Sequence, residues 1–453
     1  MWEVRILDRK ERLGSRLGFL LISAGCAIGL GNVWMFPYRV GENGGGAFVF
    51  LYIIVLLLLG IPLMTAELAL GRKAQASPTL MYRRLQKPGQ KWSAHGWVCL
   101  AGNVLLLMFY STVAGYFFHY LRGFLTGKLE ALTWGQTVQN TGINTGFMVF
   151  VLCIAFLILS FDIKKGLERI TKYLMFGLFF LLFLLSVYAM TLPGARKGLE
   201  FYLRPDFSAI SLDMVAAVIQ QAFFSLSLGM GSMAIFGSYV GQDRALAGEA
   251  VWIVALDTLV AILAGLVIFP VCFTFGIQPD CGPPLLFTTM VTAFSHIPHG
   301  RLWGTLFFVF MIFAAMSTVL AVLEAVLAMV RELTGWSRRK GCAILCPAMI
   351  LLSLPMSLDG WNVTGWFQPF GAGTGWFDLL AFLVETVIQP FGALWILLFC
   401  THRKGLGWES FREEANAGKG LKVPEWARNI FCYAAPAILL FLWISGLVTF
   451  QYR

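Results

Sequence analysis

The 453-residue chain is 58% hydrophobic, 15% aromatic and only 13% charged, and its formal net charge is +10. A charged fraction near half of the ~25% usual in soluble domains excludes a water-soluble globule and points to a chain whose solvent is the bilayer. In that setting the basic excess reads as loops meeting anionic lipid headgroups, not as a nucleic-acid surface.

A hydrocarbon core of about 30 Å needs about 20 apolar residues per helix. The chain offers eleven such spans, near 15–38, 44–70, 96–123, 144–161, 167–191, 211–239, 246–276, 301–332, 341–357, 376–400 and 427–449, with no soluble domain between them. The first contains GCAIGLGNVWMFPY (25–38), where Gly25, Gly29, Gly31, Asn32 and Pro37 crowd into a segment that should cross a membrane. Each interior glycine costs a helix about 1 kcal/mol and an interior proline about 3. The sixth carries a second interruption, FFSLSLGMGS (223–232). Glycines packed for close helix contact explain either segment alone. They explain the pair less well, because spans 1 and 6 open two five-helix halves, and breaks at matching positions mark the central site of an inverted-repeat transporter. Backbone freed at membrane depth is tolerated where it lines a cavity, where its carbonyls suit a hard cation and its amides a carboxylate.

Most of the 34 Lys and Arg fall on one side when the N-terminus is cytoplasmic, which leaves Gln451 to Arg453 outside. The nine cysteines lie mostly inside apolar spans with no CxxC and no zinc-like spacing, so they read as packing residues. SAGC at 23–26 loosely resembles a lipoprotein cleavage site, but the apolar run continues past Cys26. No nucleotide loop, HExxH or nucleophile elbow is present, and the five histidines are scattered, so no enzyme is expected.

Five stretches, RLGFLLISAGCAIGLGNVWMFPY (16–38), NGGGAF (43–48), GIPLMTAELALGR (60–72), GLERITKY (166–173) and QQAFFSLSLGMGSMAIFGSYV (220–240), resemble the neurotransmitter:sodium symporter family, in its eleven-helix bacterial branch of amino-acid transporters. The resemblance covers essentially the whole chain. It implies an all-α integral membrane protein of the leucine-transporter-like fold: a cytoplasmic segment (1–14), one five-helix repeat (15–191), a second, inverted repeat (211–400), broken helices 1 and 6, and an eleventh helix (427–449).

The resemblance further implies two sodium sites. The first would use the Ala27 carbonyl, Asn32, Ser225, Asp257 and the substrate carboxylate; the second, the carbonyls of Gly25, Ile28 and Ala314 with the hydroxyls of Ser317 and Thr318. All are oxygen donors, as a hard cation requires. Without the family, Ser317 and Thr318 would read as helix residues bonding to their own backbone. The substrate carboxylate would meet the amides of Leu30 and Gly31 and the Tyr110 hydroxyl, and its ammonium the Ala27 region and Ser227. Its side chain would meet Leu106, Phe224, Met230, Thr318 and Val322. That lining is apolar, and Met230 can repack around different shapes. Monoamine-transporting relatives carry aspartate where this chain has Gly29, so the substrate should keep its own carboxylate.

Chloride is not expected to be required, since Asp257 supplies a fixed charge while Ala261 supplies none; an anion, if used, would lie near Tyr52, Gln221 and Ser225. For the gates, Asp378 stands without its arginine partner, replaced by Met35, so the outer ion pair is expected to be lost. At the inner side Lys10 and Glu332 form the expected pair, near Tyr239. Gly166 is present in span 5, but Phe176 stands where relatives have proline. For Glu67 and Glu324 a structural role and an ion-linked one stand as alternatives, and Glu385 has no assignment.

The expected function is sodium-coupled uptake of neutral, hydrophobic or aromatic L-amino acids by alternating access, with no organic cofactor. The protein would lie in the cell membrane and act as a monomer, with a dimer as the alternative state. A carrier of another organic solute, a proton-coupled carrier and a non-transporting amino-acid sensor remain as rival readings.

Overall fold

The computed structural model describes residues 13–128, 133–277 and 285–448. Their regular structure is all helical, apart from one isolated bridge between Arg244 and Lys419. Among the described residues nine helices are long and apolar enough to cross a membrane: Gly46–Ala74, Ala94–Thr126, Thr141–Leu159, Gly166–Ala189, Leu246–Phe275, Gly300–Thr334, Arg338–Asp359, Trp376–Thr401 and Glu425–Val448. They are spans 2–5 and 7–11. Span 1 is a broken pair, Arg16–Ala27 and Gly31–Glu42, bent by 53°. Span 6 is the apolar helix Leu212–Ser225 followed, after a turn, by Ser232–Gly237. Helices thus stand at all eleven expected positions; nine are long enough to cross alone, the first does so as a bent pair, and the sixth is a shorter helix with its continuation beyond a turn.

Local chemistry explains the ends and the irregularities. Ser15, Asn140, Ser211 and Ser337 each accept a backbone N–H as N-caps, and Gly127, Gly276 and Gly335 end their helices in the left-handed region. Wide π-turns at Gly31–Met35, Leu56–Gly60, Phe382–Ile388 and Ile430–Ala434 all lie just ahead of a proline: Pro37, Pro62, Pro390 and Pro436. Proline lacks the N–H and collides with the carbonyl one turn back, and adding one residue to the turn relieves both problems. A further π-turn, Lys164–Glu168, forms without proline. It is built on Gly166, whose Cβ position would lie 2.5 Å from the Ile158 carbonyl oxygen.

Burial separates inner from outer spans. In spans 8 and 3 the apolar window is 83% and 72% buried, whereas in spans 9 and 11 it is 33% and 22% buried, so the latter pair faces lipid. Spans 3 and 8 pack along each other, and span 1 lies against spans 5, 7 and 8. Beyond the end of span 10 the short helix Trp408–Ala415 docks on span 2 through Arg72. Its fully buried guanidinium meets the Glu414 carboxylate at 2.7 Å and the Arg244 carbonyl at 2.6 Å.

Candidate functional site

The two interruptions lie against each other in the middle of the inner spans. Span 1 leaves the helix at Ile28, which is extended (φ −71°, ψ 100°), and span 6 turns through Ser227 (φ 51°), Gly229 (φ 88°) and Gly231 (φ 75°). Side chains hold these turns together. The Ser227 hydroxyl donates to the Cys26 carbonyl at 3.0 Å, and the Gln221 amide donates to the Gly31 carbonyl at 2.7 Å. Glu67 on span 2 is buried and accepts the amides of Gly229 and Met233, both at 3.1 Å. Asn103 on span 3 donates to the Met230 carbonyl at 2.9 Å and accepts the Ser232 hydroxyl at 2.7 Å. Groups that an unbroken helix would satisfy internally thus find partners on neighbouring spans. For Glu67, this is the bonding to the broken helix that one of its two expected roles required. Asn103 was missed in the sequence, where its signal was a lone amide in mid-span.

One polar cluster joins spans 1, 2, 6 and 7. The Asn32 amide donates to the Asp257 carboxylate at 2.8 Å and to its carbonyl at 3.0 Å; both residues are fully buried. Tyr52 shares a hydrogen bond with Ser225 at 2.8 Å and lies 3.4 Å from the other Asp257 oxygen. A second cluster joins spans 1 and 8. Thr318 Oγ1 lies 3.2 Å from the Gly25 carbonyl oxygen and 3.1 Å from that of Ile28, while Ser317 Oγ lies 3.4 Å from the Ile28 oxygen and donates to Ala314 at 2.9 Å. The structure therefore brings together all five residues expected around the second cation, and Asn32, Ser225 and Asp257 of those expected around the first. Both donor sets are oxygen, the chemistry of a hard cation. Among the described residues no group of three or more His, Cys, Asp or Glu offers a transition-metal site.

Between the clusters lies a small cavity, about 10 Å³, lined by Ala27, Gly29, Gly31, Leu106, Tyr110, Phe224, Ser227, Thr318 and Gln389. The Leu30 amide donates to the Tyr110 hydroxyl at 2.8 Å, so two groups expected around a carboxylate sit side by side. Met230 and Val322 are buried nearby in the core, Val322 one turn beyond Thr318. Among the described residues no charged side chain lines this cavity. The space admits about one water-sized sphere, so a larger ligand requires the walls to move apart.

The gate residues are distributed differently from expectation. Asp378 accepts the Gly375 amide at 2.8 Å and the Asn362 amide at 2.6 Å, so it caps its own helix. The loss of an ion pair between spans 1 and 10 is corrected: Arg39, one turn beyond Met35, meets Glu385 at 3.3 Å and also reaches Gln220 and the Ala217 carbonyl on span 6 at 3.2 Å. The residues are 346 positions apart, so no local pattern revealed the pair. Arg39→Met should leave the buried Glu385 without its cation and destabilise the protein by about 3 kcal/mol. Adding Glu385→Gln should recover most of that loss, a coupling readable from thermal unfolding of the two singles and the double.

Of the expected inner gate, Lys10 lies outside the described residues. Glu332 accepts the Ser77 amide at 2.8 Å and its hydroxyl at 2.6 Å, and the Tyr239 hydroxyl donates to Glu324 at 3.1 Å, beside the ion pair of Glu324 with Arg338. A further contact was not legible in sequence: Glu168 in span 5 accepts the Gly14 amide at 2.7 Å and the Ser15 hydroxyl at 2.9 Å, pinning the start of span 1.

The chain matches the profile of the Sodium:neurotransmitter symporter family over residues 10–140 and 123–453. It is 32% identical to the uncharacterized sodium-dependent transporter YhdH of Bacillus subtilis, covering 96% of this chain and 98% of that protein. An uncharacterized sodium-dependent transporter of Haemophilus influenzae is 30% identical, over 97% and 98%. The crystal structure of MhsT in complex with L-phenylalanine superposes with a TM-score of 0.87 at 35% identity, covering 97% of this chain and all of that one. With its eleven spans, its two breaks and these matches, the chain is a multi-pass membrane protein that belongs to the sodium:neurotransmitter symporter family.

Proposed function

We propose that the protein is a sodium-coupled symporter that takes up neutral, hydrophobic or aromatic L-amino acids by alternating access. The observation that carries this reading is the cavity between the two breaks. It has an amide and a hydroxyl for a carboxylate at one end, apolar side chains beyond, and no charged side chain that would pair a charged substrate. MhsT, of similar sequence and fold, is a complex with L-phenylalanine, which fits such a lining. Two sodium ions travel as co-substrates, one held by Ala27, Asn32, Ser225 and Asp257 and the other by Gly25, Ile28, Ala314, Ser317 and Thr318.

Residues 15–191 and 211–400 act as the two repeats that rock against each other. The N-terminus faces the cytoplasm of a cell membrane, and one chain is the functional unit. Chloride is not needed, because Asp257 supplies the negative charge that two sodium ions and a zwitterion call for in a site of low dielectric.

The test is uptake into proteoliposomes. Labelled phenylalanine, leucine or tryptophan should accumulate only with an inward sodium gradient, and sodium should tighten amino-acid binding by the same factor that amino acid tightens sodium binding. Accumulation that persists with potassium in place of sodium and follows a proton gradient would overturn sodium coupling. Sodium-dependent binding without flux would mean a sensor.

A further inference from the structure

The cavity has one polar wall that none of the expected site residues provides. Gln389 follows the π-turn Phe382–Ile388 of span 10 and lines the same space as Leu106, Tyr110 and Thr318. The residue is 2% exposed, and its side-chain amide forms no hydrogen bond among the described residues. The other amides around the breaks, those of Asn32, Asn103 and Gln221, all donate to a carbonyl or carboxylate. A primary amide carries two donors and an acceptor oxygen, and burying one without a partner is disfavoured. Gln389 is therefore a buried polar group facing the ligand space with its hydrogen-bonding capacity unspent.

The surroundings of its backbone point to the part of a ligand it would meet. The Gln389 carbonyl oxygen lies 2.2 Å from the Cβ position of Gly229, so span 10 rests directly on the break of span 6, one residue before Met230. Ile388 and Met230 meet over Gly102, 2.9 and 3.3 Å from its Cβ position. The backbone of span 10 thus reaches the cavity from the break of span 6, next to Met230, and Gln389 lines it together with Leu106.

We propose that Gln389 determines specificity: its amide hydrogen-bonds a polar group toward the end of the substrate side chain. The carrier then favours aromatic amino acids bearing a phenol hydroxyl or an indole N–H over hydrocarbon side chains of similar shape. This rests on the substrate pocket of the preceding section.

The matched probes are L-tyrosine and L-phenylalanine, competed against each other for the purified full chain in saturating sodium. Wild type should bind tyrosine roughly tenfold more tightly, the scale of one buried hydrogen bond. Gln389→Met, which keeps length and volume, should bring the ratio to about one by weakening tyrosine alone. Equal affinities in wild type, a ratio that Gln389→Met leaves unchanged, or an equal loss for both ligands would overturn the assignment; the last would place Gln389 on the part common to all amino acids. The ratio is read on one preparation, so reduced yield of the variant does not enter it, and the wild-type ratio alone decides if the variant does not fold. Absence of sodium-dependent binding by either ligand would overturn the pocket reading, and Gln389's role with it. Phenylalanine binding without tyrosine preference overturns only the latter.

Discussion

Replacing Asp257 with asparagine is expected to weaken sodium binding at least a hundredfold and to abolish uptake at ordinary sodium concentrations. The carboxylate is fully buried, bonded by Asn32 and near Tyr52, and it is the acid that joins spans 1, 2, 6 and 7. The two sodium ions and zwitterionic substrate of the proposed function would bring two uncompensated positive charges into the site, and an acid within about 4–6 Å strongly favours them. Removing one partner of a buried charge cluster costs about 3–5 kcal/mol, which is two to three orders of magnitude in affinity. Wild-type uptake should be unchanged when gluconate replaces chloride. The Asp257→Asn carrier should regain part of its uptake when chloride is added. Sodium-dependent thermal stabilisation, titrated with and without chloride, measures each effect. A wild-type protein that fails in gluconate would move the counter-charge to an anion near Tyr52, Gln221 and Ser225.

The second large effect is expected from a single methyl group. The Cβ of Gly29→Ala would lie 2.3 Å from the Tyr110 hydroxyl and 2.4 Å from Thr318 Oγ1, distances that real Cβ atoms do not show. Tyr110 bonds the Leu30 amide, and Thr318 bonds the Gly25 and Ile28 carbonyls, so both displaced groups belong to the site itself. Amino-acid binding should fall below detection while the protein still folds. Gly29→Asp should behave at least as badly, because it adds a poorly solvated carboxylate beside that of the substrate. Gly146→Ala, with nothing within 4 Å of its Cβ position, is the control and should transport normally. Near-normal uptake by Gly29→Ala would mean that the substrate does not lie against span 1.

Features with a period or a cost were legible in the sequence. The spans are long apolar runs, and the breaks declare themselves through Gly25, Gly29 and Gly31 and through Gly229 and Gly231, which no transmembrane helix collects without reason. Which oxygen atoms would converge at the breaks came from the family resemblance; geometry alone brings Thr318 to Gly25, 293 positions away. Pairs between distant spans were illegible for the same reason. Arg39 with Glu385, Glu168 with Gly14, and Asn103 with Met230 depend on how helices rotate and stack, and none leaves a spacing pattern behind. Gln389 escaped because a glutamine beside a proline reads as a helix end near a kink. Its importance lies in its being buried against the cavity without a hydrogen-bond partner among the described residues.

The Glu67 carboxylate has a consequence for the handedness of loading. Each broken helix presents backbone amides to the middle of the membrane, and amides at the start of a half-helix attract negative charge. At span 6 that attraction is already answered from within the protein, since Glu67 holds the amides of Gly229 and Met233. At span 1 the Leu30 amide meets the Tyr110 hydroxyl instead of an acid, so the proposed carboxylate would dock against that pair. On the proposed function, a molecule with a positive and a negative end meets a polarised berth, with its carboxylate toward span 1 and not toward the span 6 break that Glu67 occupies.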